Sequence, residues 1–320
     1  MTSIRDEIIW IADEIQSTSV QARETAGDLA KRLEELFRNE SSYDTSIADM
    51  DDRYVWQEAS YMWTTEPGEQ GSTVIGTTGL VPVDDGIKRE LRLWEHMLPS
   101  LREEYTLNRY TDEVIYCDKR SMVVGQTTTN FAGLFPSGFD SAEVCRIGVT
   151  YYDYYGWVDP DLNPERVPRW APSAFVDLLG VFIQSVHAPV FKRKSDAETS
   201  GFMGLHYNLE WLNAATVYKS ENRILTLSSQ STLIGASPGA MDVLGLPPFE
   251  RQEPSFLEPE KVREHVDVER NLERGKSPEL AELATRIRTD SEFEHALGGR
   301  NFKVTVEAAP ELGFFVVVLA

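Results

Sequence analysis

The chain has 320 residues, with 31 Lys plus Arg against 52 Asp plus Glu, a formal net charge of −21 and a sequence pI near 4.7. Affinity for phosphate backbones comes mainly from Lys and Arg, so this balance argues against a nucleic-acid binder and disfavours docking on an anionic membrane face. With 41% hydrophobic and 10% aromatic residues it is too apolar for a disordered chain, and its length fits one large domain or two ordinary ones.

The opening residues, MTSIRDEIIWIADEIQSTSV, interleave acids with apolar positions and form neither a signal-peptide core nor a spanning helix. The longest apolar run is Phe314 to Ala320, at the end of the sequence. Cysteine occurs only at Cys117 and Cys145, without a CxxC, which disfavours a metal site or disulfide scaffold. Two unpaired thiols are favoured over one disulfide between them.

The first forty residues read as one helix, because Ile4, Ile8, Ile11, Ile15, Ala22, Ala26, Leu29, Leu33 and Leu36 form a heptad-like stripe interrupted by Thr18. That stripe suits a helix packed along its own domain or a stalk that also pairs with a second copy. Asn39 to Asp85 reads as mostly loop with short elements, and Gly86 to Leu107 as a second helix ended by Asn108. Glu113 to Cys117 and Met122 to Gln126 flank a hairpin loop at Asp118 to Ser121. Val181 to Phe191 and Gly201 to Tyr207 form a second strand pair, followed by a helix from Leu209 to Tyr218.

A smaller version of the pattern follows. Asn222 to Ser229 and Thr232 to Ala236 read as a hairpin, Pro238 to Leu246 as a short helix, and Glu260 to Asp290 as helix broken at Gly275 to Pro278. Asn301 to Ala308 and Leu312 to Leu319 close the chain as a hairpin turning at Pro310 to Gly313, and the boundary between the two units falls near Asn213 to Ser220. Strand runs flanked by helices without βαβ alternation indicate an α+β fold.

Tests for chemistry are mostly negative: no phosphate-binding glycine loop and no metal spacing among His96, His187, His206, His265 and His295. His187 and His206 lie on neighbouring strands and can face each other, and simple hydrogen-bonded histidines are the favoured reading. The segment that looks functional is Tyr151 to Asp177, which gathers Tyr151, Tyr152, Tyr154, Tyr155, Trp157, Trp170 and Phe175 beside Asp153, Arg166, Arg169 and Asp177. Apolar walls with a few fixed charges suit a small-molecule pocket, and a satellite core capping the sheet is the alternative.

At this segment the chain resembles the double Cache family of extracytoplasmic sensor domains, tandem PAS-like modules of bacterial receptors. The matching stretches are Asn163-Pro164-Glu165-Arg166, Arg169-Trp170, Phe175-Val176-Asp177, Ala188-Pro189-Val190-Phe191 and Gly201-Phe202-Met203-Gly204-Leu205, leading into Leu209-Glu210-Trp211-Leu212. Ile224 to Leu246 is similar to the opening of the second module, and the closing residues to its final hairpin. The R-x-WY pair of the amino-acid-sensing subgroup has no counterpart, and position 175 is Phe where that subgroup has Tyr.

The resemblance implies an N-terminal stalk helix (residues 1–40), a membrane-distal, ligand-binding module (41–215) and a membrane-proximal module (216–320), each an antiparallel sheet flanked by helices. It implies a periplasmic or extracellular sensor, cut beside membrane spans at both ends, in a histidine kinase, chemoreceptor or similar receptor. The ligand, a carboxylate or amine metabolite, would meet Tyr151, Tyr154, Trp170, Phe175 and Asp177, with Tyr116 and Ser185 facing it from the sheet and Arg169 nearby. No catalytic residue, metal or cofactor is expected, and a homodimer through the stalk is. Rival readings are a sensor fold acting through protein contacts without a ligand, and an enzyme using Asp153, Asp177 and His187.

Overall fold

Helix α1 (Ile4–Arg38) begins where Ser3 and Asp6 cap each other: the Asp6 amide donates to Ser3 Oγ and the Ser3 amide to Asp6 Oδ2, both at 3.1 Å. Its apolar stripe is buried from Ile8 onward, with Ile8, Ile11, Ile15, Ala22, Ala26, Leu29, Leu33 and Leu36 at most 3% exposed, while Ile4 at the start is 40% exposed. The polar interruption bonds to the helix itself, Thr18 Oγ1 donating to the Glu14 carbonyl at 2.7 Å and buried Ser19 to that of Ile15. The computed structural model describes residues 3–58, 60–65, 71–128, 142, 156–176, 181–193, 196–246, 264, 266, 268–274 and 277–320.

Two compact units form. One comprises Gln21–Pro172 with Gln184–Tyr207, the other Met1–Val20 with Ser173–Ile183 and Asn208–Ala320. Strands β1 (Val55–Gln57), β2 (Met62–Thr64), β3 (Ser72–Gly76), β4 (Thr111–Asp118), β5 (Val123–Thr127), β6 (Arg169–Trp170), β7 (Ala174–Val176), β8 (Val181–Val190) and β9 (Gly201–Asn208) share a sheet ordered β1-β2-β3-β5-β4-β9-β8-β6, with β7 paired to the start of β8. The loop-like stretch after α1 thus supplies three short strands and helix α2 (Met50–Arg53).

The expected helix over Gly86 to Leu107 is two, α3 (Asp85–Glu95) and α4 (Leu98–Leu107), with Pro99 in the first turn of α4. Proline has no N–H to bond four residues back, so one helix cannot run through that point. Asp84 caps α3 by accepting from the Ile87 amide at 2.8 Å. The end of α2 is tied to α3 by Glu95, which accepts from Tyr54 Oη at 2.6 Å and pairs with Arg53 and with Arg92. Burial and that contact push the Tyr54 hydroxyl pKa up. The β4–β5 hairpin turns where expected, Asp118 Oδ1 accepting from the amides of Arg120 and Met122 at 2.9 Å.

In the other unit β10 (Ile224–Ser228), β11 (Leu233–Ala236), β12 (Glu292–Leu297), β13 (Arg300–Ala309) and β14 (Phe314–Leu319) form an antiparallel sheet ordered β11-β10-β14-β13-β12. Helix α5 (Leu209–Ala215) is shorter than expected, ending where Thr216 turns its hydroxyl onto the Leu212 carbonyl. Helices α6 (Pro238–Leu244) and α7 (Pro278–Ile287) pack Ala240, Leu244, Leu280, Leu283, Ala284 and Ile287 into one core with Leu225, Leu227, Val304 and Val317. Each buried Leu or Ile contributes roughly 1.5–3 kcal/mol. The first half of α1 meets this sheet through Arg5–Glu292, Glu7–Asn222 and Gln16–Glu311 contacts. The fold is α+β, a long N-terminal helix followed by antiparallel sheets flanked by helices. No described helix is long and apolar enough to cross a membrane.

Candidate functional site

Strand β4 has two unequal faces. Asp112, Val114, Tyr116 and Asp118 are at most 4% exposed, while Glu113, Ile115 and Cys117 between them keep partial exposure. The first set lies under the helices: α4 packs on β4 and β5, and the Tyr116 ring meets Trp94 of α3 edge-on at 4.8 Å and Phe37 of α1 at 6.1 Å. The second set faces away from them.

Register carries that second face across the sheet, because directly opposed residues share a side. Glu113 pairs with Thr127 and His206, Ile115 with Gly125 and Gly204, and Cys117 with Val123 and Phe202. The fully buried His187 of β8 joins them, its ring 4.3 Å from that of Phe202 and 6.0 Å from that of His206. Ile115 therefore stands between two glycines. A Cβ at Gly125 would lie 2.4 Å from Ile115 Cγ2, and one at Gly204 would lie 3.1 Å from the Phe202 ring and 3.3 Å from His206 Nε2.

Over this floor sits one ion-pairing contact: His206 Nδ1 is 2.8 Å from Glu113 Oε2, with the side chains 12% and 15% exposed. A carboxylate oxygen can only accept, so Nδ1 is the donor in this contact. His206 Nε2 is buried and has no hydrogen-bond partner among the described residues. A buried imidazole nitrogen without a partner costs free energy unless a ligand or water meets it.

The NPER stretch does not itself reach this floor. Asn163, fully buried, locks its own loop: Nδ2 donates to the carbonyls of Val167 at 2.7 Å and Trp157 at 3.3 Å, and Oδ1 accepts from the Val167 amide at 3.3 Å. Arg166, in a left-handed conformation, lays its guanidinium 4.2 Å from the Phe191 ring centre. The locked loop delivers β6, where Arg169 opposes His187 and Trp170 opposes Val186.

Of the residues expected at the site, Arg169 and Ser185 fall on the His187 face by this register. Arg169 Nη1 donates to the Leu162 carbonyl at 2.7 Å, and the Ser185 carbonyl accepts from the Ala171 amide at 2.8 Å. Tyr116 lies on the other face of β4, its ring wholly buried under α3 and α1, where a large aromatic fills the helix–sheet layer. Trp170 turns to that same opposite face and meets Tyr207 at 5.4 Å. Phe175 lies in β7 opposite Phe182 along the backbone, and its side chain is outside the described set. Tyr151, Tyr154, Asp177, Asp153 and Cys145 lie outside the described residues. Sequence reasoning missed Glu113 and Phe202, although an acid within the apolar strand DEVIYCD was a visible signal. Among the described residues no three His, Cys, Asp or Glu side chains are grouped to hold a metal ion.

No family model matches the sequence, and no curated protein does. The solved structures it matches include the sensory domain of the Campylobacter jejuni chemoreceptor Tlp3 with isoleucine bound, at 9% identity over 99% of this chain and 91% of that one, TM-score 0.47. They also include the ligand-binding domain of the Pseudomonas aeruginosa PAO1 amino acid chemoreceptor PctC in complex with GABA, at 12% identity over 97% and 95%, TM-score 0.46. These matched chains are sensory domains. At such scores the similarity adds nothing to what this chain's own residues carry.

Proposed function

We propose that the chain is the extracytoplasmic sensor part of a transmembrane receptor, and that it binds a small molecule on the face of β4, β9 and β8 that carries Glu113, His206 and His187. The observation that carries the reading is the Glu113–His206 pair, with a buried, unpartnered Nε2 on a partly accessible face. The residues quoted for the double Cache resemblance support the receptor context. The chain acts by binding: occupancy shifts an equilibrium between two arrangements by the ligand's differential affinity, and an output domain elsewhere in the receptor reads the shift. Thermal-shift screening of a metabolite library against wild type and Glu113→Ala tests it. A ligand that stabilises wild type and not the variant is expected, and equal shifts would remove this face from the site.

A second reading, self-association through α1, is favoured by Trp10, 53% exposed, and Ile9, 37% exposed, on its surface. Sedimentation of wild type against Trp10→Glu separates the two: dimer loss in the variant supports it, and a monomeric wild type excludes it.

A further inference from the structure

A cavity of about 370 Å³ lies between α1, the loop locked by Asn163 and the end of β8, all within one compact unit. It shares no residue with the Glu113–His206 contact. We infer that it is a second binding site, for a small organic anion with an apolar body. Its volume falls among those of small-molecule pockets, about 300–1,000 Å³. On α1, Gly27, Ala30, Lys31 and Glu34 recur at spacings of three and four and so share one face of the helix. Opposite stand Pro168 of the loop, Ala188 and Pro189 of β8, and Phe191 just beyond it. Helix and loop close on each other at Gly27, where an added Cβ would lie 3.1 Å from Pro168 Cγ.

Three charged side chains line the cavity, and their settings decide the sign of the ligand. Glu34 is half-buried, and its Oε1 accepts the Phe191 amide at 3.1 Å, so a backbone N–H already meets this acid's charge. Lys31 stands exposed at the rim with its Nζ 2.8 Å from Asp28 Oδ1, which offsets part of its charge. Arg166 is the cation built into the wall. Its backbone is left-handed at φ +56°, a conformation that side chains other than Asn and Asp rarely adopt. That backbone lays the guanidinium 4.2 Å from the Phe191 ring centre, with Nη2 donating to the Asp196 carbonyl at 3.1 Å. Strain of this kind gathers at ligand clamps. Two cations to one amide-bonded acid make the lining positive in a chain of net charge −21. Arginine suits a carboxylate, and Ala30, Pro168, Ala188 and Pro189 take an apolar body out of water. An ammonium would meet two like charges, and a bare small anion would leave those walls wet. The bound anion ties α1 to the loop whose next residues, Arg169 and Trp170, form β6 beside β8.

The test titrates 3-phenylpropanoate, 3-phenylpropan-1-ol, 3-phenylpropan-1-amine and acetate into the whole chain and follows backbone amide shifts. 3-Phenylpropanoate should bind with a Kd of about 0.1–1 mM and move the amides of 27–34, Arg166, Val167 and 190–192. The alcohol and acetate should each bind at least about tenfold more weakly, and the amine should leave those amides unmoved. Arg166→Asn removes the charge while tolerating the left-handed backbone, and should weaken 3-phenylpropanoate about tenfold or more. The wild-type series decides the matter alone if that variant fails to fold. Four results would each overturn the inference: alcohol binding as tightly as the carboxylate, amine binding at these amides, an unchanged affinity in folded Arg166→Asn, or no shift at about 10 mM 3-phenylpropanoate. Shifts confined to 113–117, 185–187 and 202–206 would also overturn it, and would support the proposed sensor face instead.

Discussion

Replacing Asn163 by alanine removes a side chain that spans one loop from inside. It makes three hydrogen bonds in a fully buried position, one short at 2.7 Å to the Val167 carbonyl and two long at 3.3 Å. The short bond is worth about 1–1.5 kcal/mol and each long one about half that, so about 2–3 kcal/mol is lost from the closed loop. Asn163→Asp keeps the acceptor but sets a carboxylate against two carbonyls, so it should lose at least as much. Amide exchange over 157–171 reads the loop directly: the loss corresponds to exchange about thirty- to a hundredfold faster. Urea unfolding followed by tryptophan fluorescence reports how much of that loss is global. Either variant within 0.5 kcal/mol of wild type, with unchanged exchange, would refute the assignment of Asn163 as the lock of this loop.

Tyr116→Phe should be neutral or stabilising by up to about 1 kcal/mol, because the buried hydroxyl has no partner among the described residues; a melting-temperature drop, or a change in ligand affinity, would contradict its placement under the helices. Gly235→Ala should cost about 2–3 kcal/mol, since its Cβ would lie 2.4–2.5 Å from Asn213 side-chain atoms held by Ile234 and Thr226. Pairing it with Asn213→Ala in a urea-unfolding cycle should recover part of that loss, and strict additivity would count against the clash. The two-pronged Arg288 contact and Ser231 hold the Glu273 carboxyl down to about 2. Its stabilisation, about 0.5 kcal/mol after screening, is therefore present above the free value of 4.5 and lost as pH falls from there towards 2. The gap between wild type and Glu273→Gln in urea should close between pH 4.5 and 2; a gap that widens would contradict the pairing.

Much of the fold was legible because its signals are local. The stripe from Ile8 to Leu36 sets α1, the polar Asp118 to Ser121 sets the hairpin, and the apolar run from Val181 sets β8. Two misses were also local. Pro99 marks the break between α3 and α4, and the alternation EFEHAL with Gly298-Gly299 marks β12 and its turn. The site was harder for a different reason. Alternation along β4 separates two faces, but Val114 and Tyr116 on one are as apolar as Ile115 and Cys117 on the other. Which face the helices cover is decided by packing among residues far apart in sequence, such as Phe37, Trp94 and Tyr116. The Glu113–His206 contact likewise needs the β4–β9 register, which no single segment encodes.

The central claim is that a small molecule binds on the face carrying Glu113, His206 and His187. Mapping backbone amide shifts on adding a ligand from the metabolite screen tests it most directly. The account predicts shifts concentrated in 113–117, 185–187 and 202–206, with Trp94 and Phe37 unmoved. Shifts confined to the helix side, around Trp94, Phe37 and Tyr116, would contradict it.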